Sequence, residues 1–492
     1  MSMEKEQIHR HFDKIAVQYD HWKQRNWYYH DTLKRFFGAC VGPEDSVIEY
    51  GCGTGDILAS VQARRKVGLD LSAQMTRIAR EKHPDIEFRQ HDGEQVCPEP
   101  EQFDVAILAD IIDHITDILK LYGSVNRALK RGGRMCISTI NPLWDPIFKI
   151  AEKLGQKMPE GEHNFVPNRH LIGFLELRGF RLVKRGAAML VPRRIPGISG
   201  FLNRYAPGLP LLNRLCVVQT LVAEKIEEWT PGADAEAEQS VSVVIPCYNE
   251  EGNIEACASR VPDMGRFTEI IVVDDGSADR TSETATALAQ KDKRVKLVSY
   301  TPNHGKGYAV KQGFDSAQGD ILMILDADMT VPPEELPLFF GAVAHGKADF
   351  ANGTRMIYPM EQQAMRFLNL MGNHFFSVLL SWLLGQRISD TLCGTKALRR
   401  ADYQRIPMGA DKWGDFDLLF GAAENRLRIA EIPVHYKQRV AGESKMKPFM
   451  HCLTLLRVCF RGFLRLKLKI GTTGRSAQSR PPRSAHSESE PE

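Results

Sequence analysis

The segment Ile321–Thr330 runs Ile-Leu-Met-Ile-Leu-Asp-Ala-Asp-Met-Thr, an apolar run ending in two carboxylates one residue apart. Such a run reads as a buried strand, which puts Asp326 and Asp328 at its exposed end. Two residues apart in an extended segment, both side chains leave on one face and can share a divalent cation with a diphosphate. Mg²⁺ or Mn²⁺ suits the spacing, because a hard cation takes one or two carboxylates and completes its shell with phosphate oxygens and water. A solvated turn is the plain alternative for the tripeptide alone, and the neighbouring segments weigh against it. Val241–Glu250 reads as a buried strand broken by Pro246 and followed by polar residues suited to a nucleotide pocket. Glu269–Asp274 reads as a second strand and runs into Asp275-Gly-Ser-Ala-Asp279, acids at a carboxyl end where open α/β sheets bind ligands. In Asn303-His-Gly-Lys-Gly307 the glycines let backbone approach a ligand closely, and Lys306 can meet phosphate charge.

Taken in series, these segments make residues 241 to about 448 resemble a family 2 glycosyltransferase of the GT-A fold. Within that family the resemblance is to polyprenyl-phosphate sugar transferases of the dolichyl-phosphate mannosyltransferase type. It implies inverting transfer from a nucleotide sugar to a lipid phosphate. It also implies that Pro246, Tyr248, Glu250, Asp275 and Lys306 bind the nucleotide sugar and that Asp326 and Asp328 hold the metal. Gly353-Thr-Arg355, Asp390–Lys396, Asp415-Phe-Asp417 and Gly442-Glu-Ser-Lys445 are further pieces of the same pattern. Met329-Thr330 departs from it and leaves a third protein ligand unassigned. A lipid phosphate is already anionic and needs no strong base, so Arg355, Arg439 and Lys445 are expected to draw and orient it. A hydroxyl acceptor must lose a proton, which would make Asp415 or Asp417 the base.

A second constellation lies upstream. Ser46–Glu49 reads as a strand running into Tyr50-Gly-Cys-Gly-Thr-Gly-Asp56, where glycines at 51, 53 and 55 permit a tight turn and close approach to a ligand. The third glycine comes one residue too early for the dinucleotide fingerprint. Strands are expected at Arg65–Asp70, before Asp92, at Phe103–Asp110 and after Gly132-Gly133, with a helix from His11 to Asp20 and aromatic neighbours through Tyr29. The set resembles the class I S-adenosylmethionine-dependent methyltransferases over roughly residues 9 to 225. The resemblance implies that Glu49, Gly51, Gly53 and Gly55 line the methionine end of S-adenosylmethionine, Asp70 its ribose and Asp92 its adenine. Methyl transfer is a direct displacement at a sulfonium carbon, so aligning the acceptor contributes much of the catalysis. An acceptor that carries a proton also needs a base. His114 and Tyr19 are candidates, a packed or surface histidine being the other reading of His114.

The fold class expected is therefore α/β, a Rossmann-like methyltransferase domain followed by a GT-A domain. The divisions expected are 1–226 and 241–448, joined by an acidic linker at 227–240, then a basic helix at 449–470 and a disordered tail at 471–492. From 141 to 225 many prolines suggest a loop-rich cover over the methyl acceptor; its stretch 191–202 mixes bases with apolar residues and suits either a lipid contact or a packed lid. Phe375–Leu384 is too short to cross a hydrocarbon core needing about 20 residues, and reads as an interfacial or buried helix. Arg457, Arg461 and Arg465, four apart, form one stripe that suits anionic headgroups or a solvated face. Ten scattered cysteines without a CxxC pair point to a reducing cytosol and no structural zinc. The first ten residues lack the apolar core of a signal peptide. Net charge is only +3, with no nucleic-acid motif. The expected partners are a nucleotide sugar, a polyprenyl phosphate and an anionic membrane surface, with the chain peripheral on its cytoplasmic face. The competing readings keep a saccharide or protein hydroxyl as glycosyl acceptor, or make the N-terminal domain a cofactor-binding or docking module.

Overall fold

The computed structural model describes residues 3–97, 99–158, 166–229, 234–358, 367–409, 413–439 and 448–469. Two seven-stranded sheets follow one another along the chain. The first contains β1 (Ser46–Tyr50), β2 (Arg65–Asp70), β3 (Glu87–Gln90), β4 (Phe103–Ala109), β5 (Leu129–Ile140), β6 (Phe180–Ala188) and β7 (Val218–Lys225), in the order β3-β2-β1-β4-β5-β7-β6. β1 to β5 pair in parallel and β7 is antiparallel to both of its neighbours. β1 is buried along its whole length, as a strand covered on both faces by helices must be. The chain goes from β1 outward to β2 and β3, then returns to β4 on the other side. Beside β1 there is thus a crevice at the carboxyl ends, where ligands of such sheets bind.

The second sheet repeats the device with β8 (Val241–Cys247), β9 (Thr268–Asp275), β10 (Val295–Tyr300), β11 (Ile321–Ile324), β12 (Phe350–Thr354), β13 (Lys396–Arg399) and β14 (Ile429–Pro433), in the order β10-β9-β8-β11-β13-β12-β14. β13 is the antiparallel strand, pairing β11 and β12. The switch point lies between β8 and β11. β8 is not broken at Pro246; it carries that proline in register with Val273 and ends one residue later. A proline is tolerated there because the strand is about to stop.

Residues 141–225 hold more regular structure than their prolines suggest. The helix Asn168–Leu177 packs on β6, and β6 forms the sheet's edge, so the cover reduces to 141–158 and 189–216. β6 is hard to read because an edge strand with Arg181, Lys184 and Arg185 facing water lacks a continuous apolar run. The linker is packed. The Glu227 carbonyl accepts from the Asn126 amide, Trp229 donates its N–H back to Asn126, and the Arg178 guanidinium lies 4.2 Å from the Trp229 ring. Later in the same segment the helix Asp234–Glu238 places Glu236 2.9 Å from His345.

The halves also touch directly, through His435 Nε2 on the Thr116 carbonyl at 2.9 Å and the Tyr358 hydroxyl toward Asp117 at 3.5 Å. One apolar cluster runs from Ile118, Leu171 and Phe174 to Ile357, Tyr358 and Val434. Among the described residues no helix is long and apolar enough to cross a membrane. The expected disordered tail at 471–492 lies outside the described residues.

Candidate functional site

Beyond the carboxyl ends of β8, β9 and β11, acids and bases interleave. β11 ends at Ile324, so Asp326 and Asp328 sit in a turn, with Met329 at φ +52°. The expected alternation along an extended strand is therefore corrected, and each carboxylate has its own partner. Asp326 Oδ1 lies 2.6 Å from the Lys306 ammonium, and Asp328 Oδ2 accepts from Arg439 at 2.6 Å. Asp328 Oδ1 also accepts from the amide and hydroxyl of Thr330. Lys306 opens the helix Lys306–Ser316, and its ammonium is also 4.0 Å from Asp415. Asp415 opens the helix Asp415–Glu424 and stands 2.9 Å from Lys396, a fully buried lysine on β13 that donates to the Cys393 carbonyl. Burial pushes the Asp326 carboxyl up, and the opposing pull of Lys306, Lys396 and Arg355 is greater, leaving it below the usual carboxylate range. Burial lowers the Lys306 pKa, but Asp326, Asp415 and Asp328 outweigh it and raise the group above its ordinary value.

The two candidate bases separate here. Asp415 belongs to the cluster, whereas Asp417 accepts the Gly409 amide at 2.8 Å and supports that loop. Arg355 is corrected as well. Its fork is closed on the buried Asp390, Nε to Oδ2 at 2.6 Å and Nη2 to Oδ1 at 2.8 Å, so those donors are not presented to an acceptor phosphate. Lys445 lies outside the described residues. Lys396 and Asp390 bracket the segment Asp390–Lys396 but were not singled out by sequence. Their signal is a charged residue at each end of a segment that has to be buried.

The cluster has the donor chemistry of a divalent-cation site. Gly394 lets the backbone pack directly on the Asp326–Lys306 pair, since a Cβ there would stand 2.0 Å from Asp326 Oδ2 and 2.7 Å from Lys306 Nζ. No group of three or more His, Cys, Asp or Glu side chains is gathered as a metal cage among the described residues. Two carboxylates that each already face a cationic side chain suit a cation that shares its shell with phosphate, so the residues fit.

The residues expected on the nucleotide side stand at or just beyond the carboxyl ends of β8 and β9. Pro246 is half-buried at the end of β8, and Tyr248 is 39% exposed just beyond it. Glu250 accepts from the Asn253 side chain, and its amide donates to Thr281. Asp275 accepts from the amides of His304 and Gly305 and from the Asn303 side chain, all within 2.9 Å. It thereby fastens the glycine–lysine loop to β9.

The second site lies beyond β1. Gly51, Gly53 and Gly55 all have positive φ, between +52° and +82°, a region that L side chains rarely enter. The Gly53 amide donates to Asp70 Oδ2 and the Ser72 amide to Asp70 Oδ1, each at 2.8 Å. Burial raises Asp70 above its ordinary range and, more strongly, pushes Glu49 up to about 8 while it accepts the Leu58 amide. Asp92 accepts from Lys5 at 2.7 Å, and Lys5 also bonds Glu94. The helix Met3–Arg25 thus lies over the glycine loop, where Tyr19 packs beside Gly53 and Lys23 reaches Thr54 and Asp56.

Tyr19, Glu49, Gly51, Gly53, Asp70, Asp92 and His114 line one cavity of about 1260 Å³, His114 meeting the Phe12 ring edge-on at 4.9 Å. The cavity also receives His30, which burial and then Lys23 hold down to about 3, and Tyr29, whose hydroxyl donates to Asp110 at 2.7 Å. Sequence reading missed both, since only the fold carries the aromatic run at 27–30 back to the glycine loop.

Comparison with known proteins bears on both halves. The profile described as Methyltransferase domain matches residues 19–185, and that described as Glycosyl transferase family 2 matches residues 242–406. The chain is 34% identical over 216 residues to a polyprenol monophosphomannose synthase of Mycolicibacterium smegmatis, a match covering 42% of this chain and 81% of the relative. It is 32% identical over 234 residues to a dolichyl-phosphate hexose transferase of Haloferax volcanii, covering 46% and 96%. A dolichol-phosphate mannosyltransferase of Pyrococcus furiosus is 35% identical over 214 residues, covering 42% of this chain and 59% of the relative's length. The chain therefore belongs to glycosyl transferase family 2, resembling its polyprenyl-phosphate sugar transferases, and carries a methyltransferase domain ahead of that module.

Proposed function

We propose that the chain is a bifunctional enzyme: residues 241–448 transfer a glycosyl group, with inversion, from a nucleotide sugar to a polyprenyl phosphate, and residues 1–226 transfer a methyl group from S-adenosylmethionine to a related lipid or saccharide. The observation that carries the first half is the cluster of Lys306, Asp326, Lys396 and Asp415 at the switch point of the second sheet. Three carboxylates and three cations balance there: Asp326, Asp328 and Asp415 against Lys306, Lys396 and Arg439. Pro246, Tyr248, Glu250 and Asp275 hold the nucleoside. Asp326 and Asp328 hold Mg²⁺ or Mn²⁺, which when bound supplies neutralisation of the departing diphosphate. Lys306 and Arg439, which stand against Asp326 and Asp328, meet the phosphate oxygens of the donor.

A lipid phosphate attacks with an oxygen that is already anionic, so Asp415 orients Lys306 and Lys396 rather than taking a proton. With a hydroxyl acceptor, Asp415 is the carboxylate within reach of the cluster and becomes the base. In the N-terminal domain Glu49 and the glycine loop take the methionine end of the cofactor, the remaining lone pairs of Asp70 take its ribose, and Asp92 takes its adenine. His30, His114 or the Tyr29–Asp110 pair serves an acceptor that carries a proton. The chain is peripheral to the cytoplasmic face of a membrane, where polyprenyl phosphate resides.

The test is to incubate the purified chain with polyprenyl phosphate, Mg²⁺, S-adenosylmethionine and a panel of nucleotide sugars, then weigh the lipid extract by mass spectrometry. A hexose-sized gain supports the lipid acceptor and names the donor, and a further methyl-sized gain links the two domains. No gain with any donor transfers the reading to a hydroxyl acceptor.

A further inference from the structure

Two helices in the cover over the N-terminal cavity leave their apolar stripes unburied, the first outside the lining of that cavity and the second within it. In Ile198–Tyr205, Ile198, Phe201 and Tyr205 are 53%, 63% and 53% exposed, and the buried residue is Ser199. In Asp145–Lys153 no residue is buried, and Ile147, Ile150 and the following Leu154 are 52%, 59% and 69% exposed. Both sets follow the spacing i, i+3, i+7, which makes one stripe on each helix, and a helix of a soluble domain turns that stripe inward. Leu209 and Leu211, just after the first helix, are also at least half exposed.

The cover is tied down, so this exposure is not fraying. Trp144 donates its indole N–H to the Leu215 carbonyl at 2.8 Å, and Arg193 bonds Gln156 at 2.7 Å. Asn203 accepts the Val191 amide and donates to the Tyr28 hydroxyl, fixing the cover to the helix Trp27–Gly38.

Charge selects the occupant. Residues 189–216 contain four arginines and no Asp or Glu. In the neighbouring helix both acids are matched, Asp145 by Lys149 at 2.8 Å and Glu152 by Lys157 at 3.0 Å. An apolar stripe bordered by unopposed arginines complements an anionic bilayer, with the side chains at the acyl boundary and the arginines among the phosphates. Ile147, Ile150, Leu154 and Ile195 also line the cavity that the glycine loop closes on its other side. The apolar surface therefore runs from the outer face of the cover to where a methyl group would be delivered.

We propose that this cover docks on an anionic bilayer and that the cavity draws its methyl acceptor, an amphiphile with an apolar chain, from that bilayer. The docking stands on the surface alone; the acceptor class rests on the methyl-transfer reading above.

The experiment is sedimentation of the full chain with phosphatidylcholine vesicles and with mixed phosphatidylcholine and phosphatidylglycerol vesicles. It compares wild type with Phe201→Ser/Leu211→Ser in the cover and with Phe375→Ser/Phe460→Ser in the other half. Wild type is expected to bind the mixed vesicles more tightly than the neutral ones. The cover variant should lose about tenfold or more in partition coefficient, the transfer of two large apolar side chains, with an unchanged melting temperature and unchanged S-adenosylmethionine binding. Equal partitioning of wild type and cover variant, no preference for the anionic vesicles, or a loss confined to the Phe375/Phe460 variant overturns the docking. For the acceptor, methyl-labelled S-adenosylmethionine is added with vesicles of total polar lipid. Label in the lipid extract that falls with the cover variant supports bilayer delivery, and label only in water-soluble products overturns it. A chain that fails to bind S-adenosylmethionine removes the methyl-transfer reading and the acceptor class, while its vesicle binding still decides the docking.

Discussion

Lys306 stands between two carboxylates, 2.6 Å from Asp326 and 4.0 Å from Asp415, and single-atom changes around it test the cluster. Asp415→Asn strips the charge partner from Lys396, which is fully buried, and an unpaired buried charge costs about 3 kcal/mol or more. It should lower the urea midpoint and reduce glycosyl transfer at least tenfold. Asp417→Asn, whose carboxylate supports the Gly409 amide, should lose stability while keeping most of its turnover. Gly394→Ala puts a methyl group 2.0 Å from Asp326 Oδ2 and 2.7 Å from the Lys306 ammonium. Titration of a nucleoside diphosphate with Mn²⁺ should show affinity down by about tenfold or more, since the Asp326 carboxylate and the Lys306 ammonium must both shift to admit the methyl group. In the other half, burial raises Glu49 from 4.5 to about 8. The fold therefore holds a proton that the unfolded chain gives up, and stability falls as pH climbs from about 4.5 to about 8. Glu49→Gln should remove that slope in cofactor-free melts across the range; an unchanged slope would locate the proton elsewhere.

At the scale of elements, the glycine loop after β1 shows how backbone and packing constrain the same positions. Gly55 has φ +82°, and a Cβ there would meet the Phe88 ring at 2.6 Å. Gly55→Ala combines a left-handed backbone cost of about 1 kcal/mol with that overlap, for a total of about 2–4 kcal/mol in urea unfolding. The C-terminal helix Pro448–Leu466 corrects the arginine stripe. Arg465 is held by Glu424 through two 2.6 Å bonds, while Arg457 and Arg461 are exposed next to Leu456 and Phe460. Arg465 thus closes the helix onto the domain, leaving two arginines to face outward. The helix Phe367–Leu384 resolves its own ambiguity by dividing: Phe376, Leu380 and Leu383 are buried, whereas Phe375, Val378 and Trp382 are exposed. The strands were the most legible elements. β2 spans the residues expected of it, and β1 and β9 extend one or two residues further, because each is a short apolar-centred segment bounded by turn residues.

At the scale of the molecule, His435 joins the halves four residues before Arg439 reaches Asp328. Its ring stacks on Tyr358 at 4.2 Å, bonds Glu335 through Nδ1 at 2.7 Å and meets the Thr116 carbonyl through Nε2. Thr116 in turn donates to Glu94, which Lys5 also holds in the loop that carries Asp92. Burial lowers the imidazole pKa, but Glu335, the Thr116 carbonyl and Asp117 outweigh it and raise the pKa above 6.5. The stabilisation is then fully present below 6.5 and is lost as pH rises through the folded value. Wild type should lose part of its urea resistance as pH rises above about 6.5, and His435→Ala should flatten that part of the profile. A variant with the wild-type pH profile would show that the contact is not the titrating one.

The sequence by itself determined the two-domain α/β order, the glycine loop, the acidic strand ends and the Asp326/Asp328 motif, because each is a local pattern of period, turn and charge. Only the tertiary structure decided which acids and bases meet. Asp415 joins Lys306 while Asp417 faces a loop, and Arg355 closes on Asp390, because partners tens of residues apart are chosen by packing and burial. The same holds for the cover. Ile198, Phe201 and Tyr205 spell an amphipathic helix in either case, and their exposure to solvent became visible only once the core had formed without them.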